Sequence, residues 1–245
     1  MIKKVTPPQC YSAFYSQKRP CCHHPHVHKE PPAKVKIGSL VGAATGALGA
    51  AYLLSRHQSK ILGKKVNLFN VKYSEIGVQS IATASLAGGL AAGIALDEKQ
   101  YRKAKLREGV HQAIANIMMP LLLIGAGNRL YDKIKPKIKL PQLPATGKVN
   151  KFINSLIQIV PHLAVTTVGL VGGVHLGTML SNKINECAEH HCHQRKVKPL
   201  DFIYHPDDVA TALVLSDKNG AIQKVVGKII PPIFTLCGYE TGIKR

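Results

Sequence analysis

The spacing of charges constrains this chain more than any motif does. Four stretches, 37–54, 76–96, 109–128 and 152–182, contain no Asp, Glu, Lys or Arg and run for 18, 21, 20 and 31 residues. A helix of about 20 mainly apolar residues crosses the hydrocarbon core of a bilayer, so each stretch is at or near spanning length. The competing reading is a water-soluble bundle rich in Ala and Gly, which would suit a mean hydropathy of +0.02. A 31-residue run without a charge opposes it, because a helix on a soluble surface keeps a charged face toward water. Aromatics at 5%, no Trp and 21 glycines are also a poor basis for a large soluble core.

The spacing therefore predicts an all-α, polytopic integral membrane protein of about five helices. Residues 1–35, rich in Pro, Lys, Cys and His and without periodicity, read as a disordered tail. Residues 36–245 read as the helical membrane domain, opening with a helix over 36–55. A weaker fifth segment, 221–239, carries Lys224 and Lys228 in its first half, so it spans with those amines snorkelling outward or lies at the interface. Shifting the sequence by 84 residues lays Leu86, Gly88, Gly89 and Gly93 on Leu170, Gly172, Gly173 and Gly177, and a shift of 111 lays Gln112, Pro120 and Gly127 on Gln223, Pro231 and Gly238. Two helix-pair repeats are expected, 75–131 and 149–240, the second with an inserted loop at 185–215.

A net charge of +20 would point to nucleic acid in a soluble protein. Here the basic residues lie between apolar runs with no aromatics interleaved to stack bases, so the expected partners are the bilayer and its anionic headgroups rather than nucleic acid. "MIKKVTPPQC" has two prolines where a signal peptide needs its apolar stretch, and a single Arg precedes residue 56, unlike an Arg-rich transit peptide. Lys and Arg divide almost evenly between the two sides of a five-helix arrangement, which puts the C-terminus opposite the tail. Cys and His in the tail favour a reducing compartment, and the expectation is a bacterial inner membrane with the N-terminus cytoplasmic.

Lipid tails are as apolar as Leu, so helices in a bilayer associate where small residues let backbones approach. Three stripes have that spacing: Gly38, Gly42 and Gly46; Ser85, Gly89 and Gly93; and Gly169, Gly173 and Gly177. They predict close helix packing, with a stripe left over for a homo-oligomer. On the fourth helix, Ser155, His162 and Thr166 fall within about 40° of Gly173 at 100° per residue, Gln158 lies at about 60°, and His175 points away. Ionisable and polar groups inside a span are functional candidates, so Asn116, Gln158, His162 and Thr166 form the expected intramembrane polar site. His162 bonded across helices purely for packing is the plainer alternative. Pro120 and Pro231 should interrupt their helices and deprive the Asn116 and Gly227 carbonyls of their usual donors, a pattern that in paired repeats points to a transporter's site.

Two clusters carry soft ligands: Cys21, Cys22, His23, His24, His26 and His28 in the tail, and Cys187, His190, His191, Cys192 and His193 after the fourth helix. Thiolate and imidazole suit zinc or another transition metal, although neither cluster has zinc-finger spacing. No enzyme motif appears. "GAGNR" and "GAATGALG" lack the Lys of a phosphate loop, and "HPDD" at 205–208 suits a helix N-cap. The expected function is a small oligomeric membrane transporter or permeation protein, with a transition-metal cation as its candidate cargo. The alternative is a non-transporting scaffold whose basic loops bind lipid or partners.

Overall fold

The computed structural model describes residues 30–137, 140, 141, 144, 148–189, 206–216 and 221–245. All regular structure among them is helical: α1 (Ala33–Leu62), α2 (Glu75–Leu96), α3 (Arg102–His111), α4 (Met119–Ile134), α5 (Lys148–Glu189), α6 (Pro206–Ser216), α7 (Ala221–Val226) and α8 (Ile230–Ile243). Four helical stretches are long and apolar enough to cross a membrane: Ala33–Leu62, Glu75–Leu96, Lys99–Lys137 and Ile159–Glu186. The fifth expected helix is not among them. A short 3-10 turn, Gly227–Ile229, splits it into α7 and α8, of 6 and 14 residues.

Local chemistry sets the boundaries. Gly63 ends α1 in the left-handed region at φ 62°, where a β-carbon would be strained. Ser74 caps α2 by accepting from the Gly77 amide at 3.2 Å, and Glu75 places a carboxylate in its first turn, where the helix dipole favours it. Both expected proline interruptions appear, in different forms. Before Pro120 the chain makes a π turn, Gln112–Met118, in which the Met119 amide donates to Ile114 O. Before Pro231 it tightens instead, and the Gly227 carbonyl that proline cannot serve accepts from the Ile230 amide.

The first helix keeps its small residues inside and its large ones outside. α1 buries Val35, Ser39, Ala43, Ala47, Ala51 and Ser55, one residue in four. Ile37, Val41 and Leu53 of the same helix are exposed, as is Val168 of α5 at 72%. Helices are drawn together along small-residue lines. Gly42 of α1 meets the Gly88 backbone, Gly46 meets Ala84, and Gly38 meets the Leu96 side chain, so α1 and α2 run antiparallel. Gly89 and Gly93 of α2 meet Gly238 and Gly242 of α8, in parallel. Gly169, Gly173 and Gly177 of α5 meet Ile124, Pro120 and Ala115, antiparallel to α4 and the π turn.

Two bodies result, one of α1, α2 and α8 and one of α4 and α5, and α2 touches α4 only sparsely. The seam between them holds a small cavity with room for about one water, lined by Val78 and Ala82 of α2, Asn116, Pro120 and Ile124, Leu170, Thr211 and Phe234. The C-terminus corrects the expected topology. Arg245 bonds Asp97, just beyond α2, and Glu30 O, just before α1, so the C-terminus lies at the same end as the tail, here called the lower end. The short α6 covers part of the return to the upper end. Its Asp207 accepts from Cys237 Sγ at 3.1 Å, and its last residue, Ser216, reaches the His162 ring near the upper end.

Candidate functional site

Polar side chains bridge neighbouring elements at both ends of the bundle. At the upper end, Glu75 Oε1 accepts from Asn128 Nδ2 at 3.1 Å, joining the start of α2 to α4. Asn128 Oδ1 accepts from Thr166 Oγ1 of α5 at 3.2 Å, and the same hydroxyl lies 2.9 Å from its own helix at His162 O. His162 Nδ1 stands 2.9 Å from Ser216 O. A carbonyl can only accept, so the proton sits on Nδ1. The Tyr131 ring packs beside the imidazole, with centroids 5.5 Å apart. Asn128, Tyr131, His162 and Thr166 are all buried, and the buried Tyr131 hydroxyl has no hydrogen-bond partner among the described residues. An unmet hydroxyl costs stability in an apolar interior.

At the lower end the polar groups are charged. Lys105, fully buried, places Nζ 3.0 Å from Asp97 Oδ2 and donates to Gly242 O at 2.5 Å and Lys244 O at 2.9 Å. Arg245 grips the same carboxylate with two bonds, 2.6 Å from Nη2 and 3.2 Å from Nε, and lies over the Tyr101 ring at 4.2 Å. Burial would push the Asp97 carboxyl up. Bonds from Arg245, Lys105 and the Glu98 amide outweigh it and hold the group at about 2. Glu108 extends the cluster to Lys244 at 3.8 Å, and one helical turn further His111 Nδ1 meets Ser181 Oγ at 2.8 Å.

The expected polar site is assembled in part. His162 and Thr166 share the upper cluster, whereas Asn116 bonds Gln112 at 2.5 Å and lines the seam cavity instead. Gln158 is placed on α5 by its backbone alone, as is Cys187; Cys21, Cys22, His23, His24, His26, His28, His190, His191, Cys192 and His193 lie outside the described residues. Among the described residues no three His, Cys, Asp or Glu side chains group as a metal site. His175 is exposed on the outer side of α5. All three small-residue stripes meet neighbours within the chain, leaving none turned outward.

Sequence reasoning missed Glu75, Asn128 and Tyr131 above and Asp97, Lys105, Glu108 and Arg245 below. The signal available was position: Glu75, Asp97 and Asn128 stand at the boundaries of the uncharged runs, where a polar group can reach across a bundle. The proposed repeat has no counterpart in direction, since α2 pairs with α8 in parallel and α5 with α4 antiparallel. Comparison with family models, curated proteins and solved structures finds no match for this chain.

Proposed function

We propose that this chain is a small integral membrane transporter or permeation protein for a cation. The observation that supports it most is a contrast between contacts: small-residue backbone approaches within each body, and a Glu75–Asn128 hydrogen bond across the seam at its upper end. Backbone-tight contacts do not open by fractions of an ångström without losing their attraction. Hydrogen bonds and ion pairs can exchange partners, so the seam is where two arrangements of one fold could differ. The glycine stripes act in this reading as zippers holding each body rigid, and Pro120 interrupts its helix beside the seam. The cation would meet Glu75, Asn128, Thr166 and His162 above.

The Cys/His segments at 21–28 and 187–193, which in sequence precede the lower end of α1 and close α5, belong to the same proposal as soft ligands suited to zinc or a related ion. We place that end on the cytoplasmic side of a bacterial inner membrane, and assign assembly into homo-oligomers to the outer face of α5, where His175 would gain a partner. A scaffold that transports nothing is the second reading, favoured by the small size of the seam cavity.

The test is flux. Protein reconstituted in liposomes should pass at least one of sodium, potassium, protons, zinc or manganese, and His162→Ala should reduce it. In a background with the native cysteines changed to Ser, Glu75→Cys with Asn128→Cys, bridged by a short bifunctional thiol reagent, should stop the flux, and reductive cleavage of the bridge should restore it. No flux for any ion, or flux indifferent to the bridge, refutes transport and leaves the scaffold.

A further inference from the structure

The connection after α1 does not run straight to α2 but folds back as a hook. Past Gly63 the chain reverses, Val66 O accepts from Ser55 Oγ at 2.8 Å, and the Val66 amide donates to Ser59 Oγ at 2.8 Å. Further on, Gln58 holds Lys72 on both sides: Nε2 donates to its carbonyl at 2.5 Å and Oε1 accepts from its amide at 3.0 Å. Ser55, Gln58 and Ser59 stand at i, i+3 and i+4, so one face of the last turns of α1 holds the whole connection.

The hook carries Lys64 and Lys65 to Arg56 and Lys60, around an open groove that Tyr52 and Ser59 also line. No Asp or Glu occurs between Glu30 and Glu75. Among the described residues no carboxylate pairs with these four cations. Four like charges fixed around one groove repel each other, and an anion relieves that repulsion.

Depth says which anion. The uncharged run 37–54 is 18 residues long, or about 27 Å as helix, close to the hydrocarbon thickness of about 30 Å. Arg56 therefore stands at the edge of the headgroup layer, with Lys60, Lys64 and Lys65 within it. Leu53, on the membrane side of Arg56, is exposed, where an acyl chain would lie. We propose that the hook binds the phosphate of an anionic phospholipid, through Arg56, Lys60, Lys64 and Lys65, with the acyl chains along the outer face of α1. Arginine can grip a phosphate with two bonds, and the lysines add charge. The site goes beyond the transport reading and rests only on its membrane part.

Full-length protein in detergent, titrated separately with dioleoyl phosphatidylglycerol, dioleoyl phosphatidylcholine and inorganic phosphate, should bind the first in preference to the other two by native mass spectrometry. Lys64→Gln with Lys65→Gln should weaken phosphatidylglycerol binding by roughly tenfold or more, while Lys133→Gln with Lys135→Gln, exposed on the end of α4 and the turn after it, should leave it unchanged. Ser59→Ala, which loosens the hook without altering charge, should weaken it severalfold. Equal effects of the two lysine pairs, inorganic phosphate binding as well as the lipid, or no preference over phosphatidylcholine would overturn the site. An alkaline carbonate wash of membranes separates the two failures: a chain that stays in the pellet but shows no preference loses only the hook site, and a chain that is washed off loses the membrane reading with it.

Discussion

Three glycine-to-alanine substitutions should have three different outcomes, although the chemical change is the same. A β-carbon at Gly173 would stand 2.6 Å from Pro120 N and 2.9 Å from Met119 C, both rigid backbone. Restoring ordinary contact of about 3.5–4 Å requires α4 and α5 to part by about 1 Å, and a gap of that size forfeits a quarter to a half of each dispersion contact along the line. Gly169 and Gly177 lie on that line, so the loss is shared over two helical turns. Overpacking of this kind costs about 1–3 kcal/mol. At Gly172, next in sequence, the nearest atom to an added methyl is the mobile Leu123 Cδ1 at 3.5 Å, and at Gly49 nothing lies within 4 Å. There the gain in helix propensity, about 0.5–1 kcal/mol, should show unopposed. Denaturant unfolding in a fixed detergent should rank Gly49→Ala above the natural protein, Gly172→Ala near it and Gly173→Ala below. If Gly173→Ala unfolds with Gly172→Ala, the helices are not in backbone contact there and the two-body arrangement is wrong.

Two further outcomes concern titratable groups outside the spanning helices. Asp97 is held at about 2 against an ordinary value of 3.8, so its contribution, about 2 kcal/mol by linkage, is present above pH 4 and lost as pH falls through 2. Acid unfolding should show that loss, and Asp97→Asn, which leaves Lys105 buried without its carboxylate, should cost about 3–5 kcal/mol at neutral pH; a stable Asn variant would mean that Lys105 reaches water. Burial pushes Tyr73 up to about 12, so the folded state resists its ionisation, and stability present below pH 10 should fall as pH rises toward 12. Ultraviolet titration should show one late-ionising tyrosine that Tyr73→Phe removes, and an unaltered curve would place that ring in solvent.

The helical class and the approximate extents of the long helices were legible because a bilayer-length helix must carry its apolar residues in one unbroken run, which survives without any tertiary information. Helix faces were legible too: His162 and Thr166 inward and His175 outward follow from 100° per residue. What could not be read was which stripe meets which. Gly238 and Gly242 have the same four-residue spacing as the stripes of α2, but 221–239 carries two lysines and three proline- or glycine-weakened turns, so its role as the helix seated against both α1 and α2 was hidden. The C-terminal topology failed for a related reason. Counting long apolar runs gives no weight to α6, an 11-residue helix set against α5 and α8 on the way back to the upper end.

The polar residues show the same limit from the other side. A sequence presents Glu75, Asp97 and Asn128 as punctuation between apolar runs, and nothing local says that each reaches a partner 53, 148 or 38 positions away. One of these bonds, Glu75–Asn128, joins elements that glycine contacts do not, while Asp97–Arg245 and Asn128–Thr166 tie pairs that glycines already hold. The Glu75 bond crosses from α2 to α4, and Lys105 crosses from α3 to the ends of α2 and α8. Asp97–Arg245 and Ser85–Phe234 fall inside the α1–α2–α8 group and reinforce what small residues already hold. The Glu75–Asn128 bond crosses the seam, with the cavity beside Pro120 below it. In the transport reading it is the contact whose exchange would let one body rock against the other, while the small-residue contacts hold each body together.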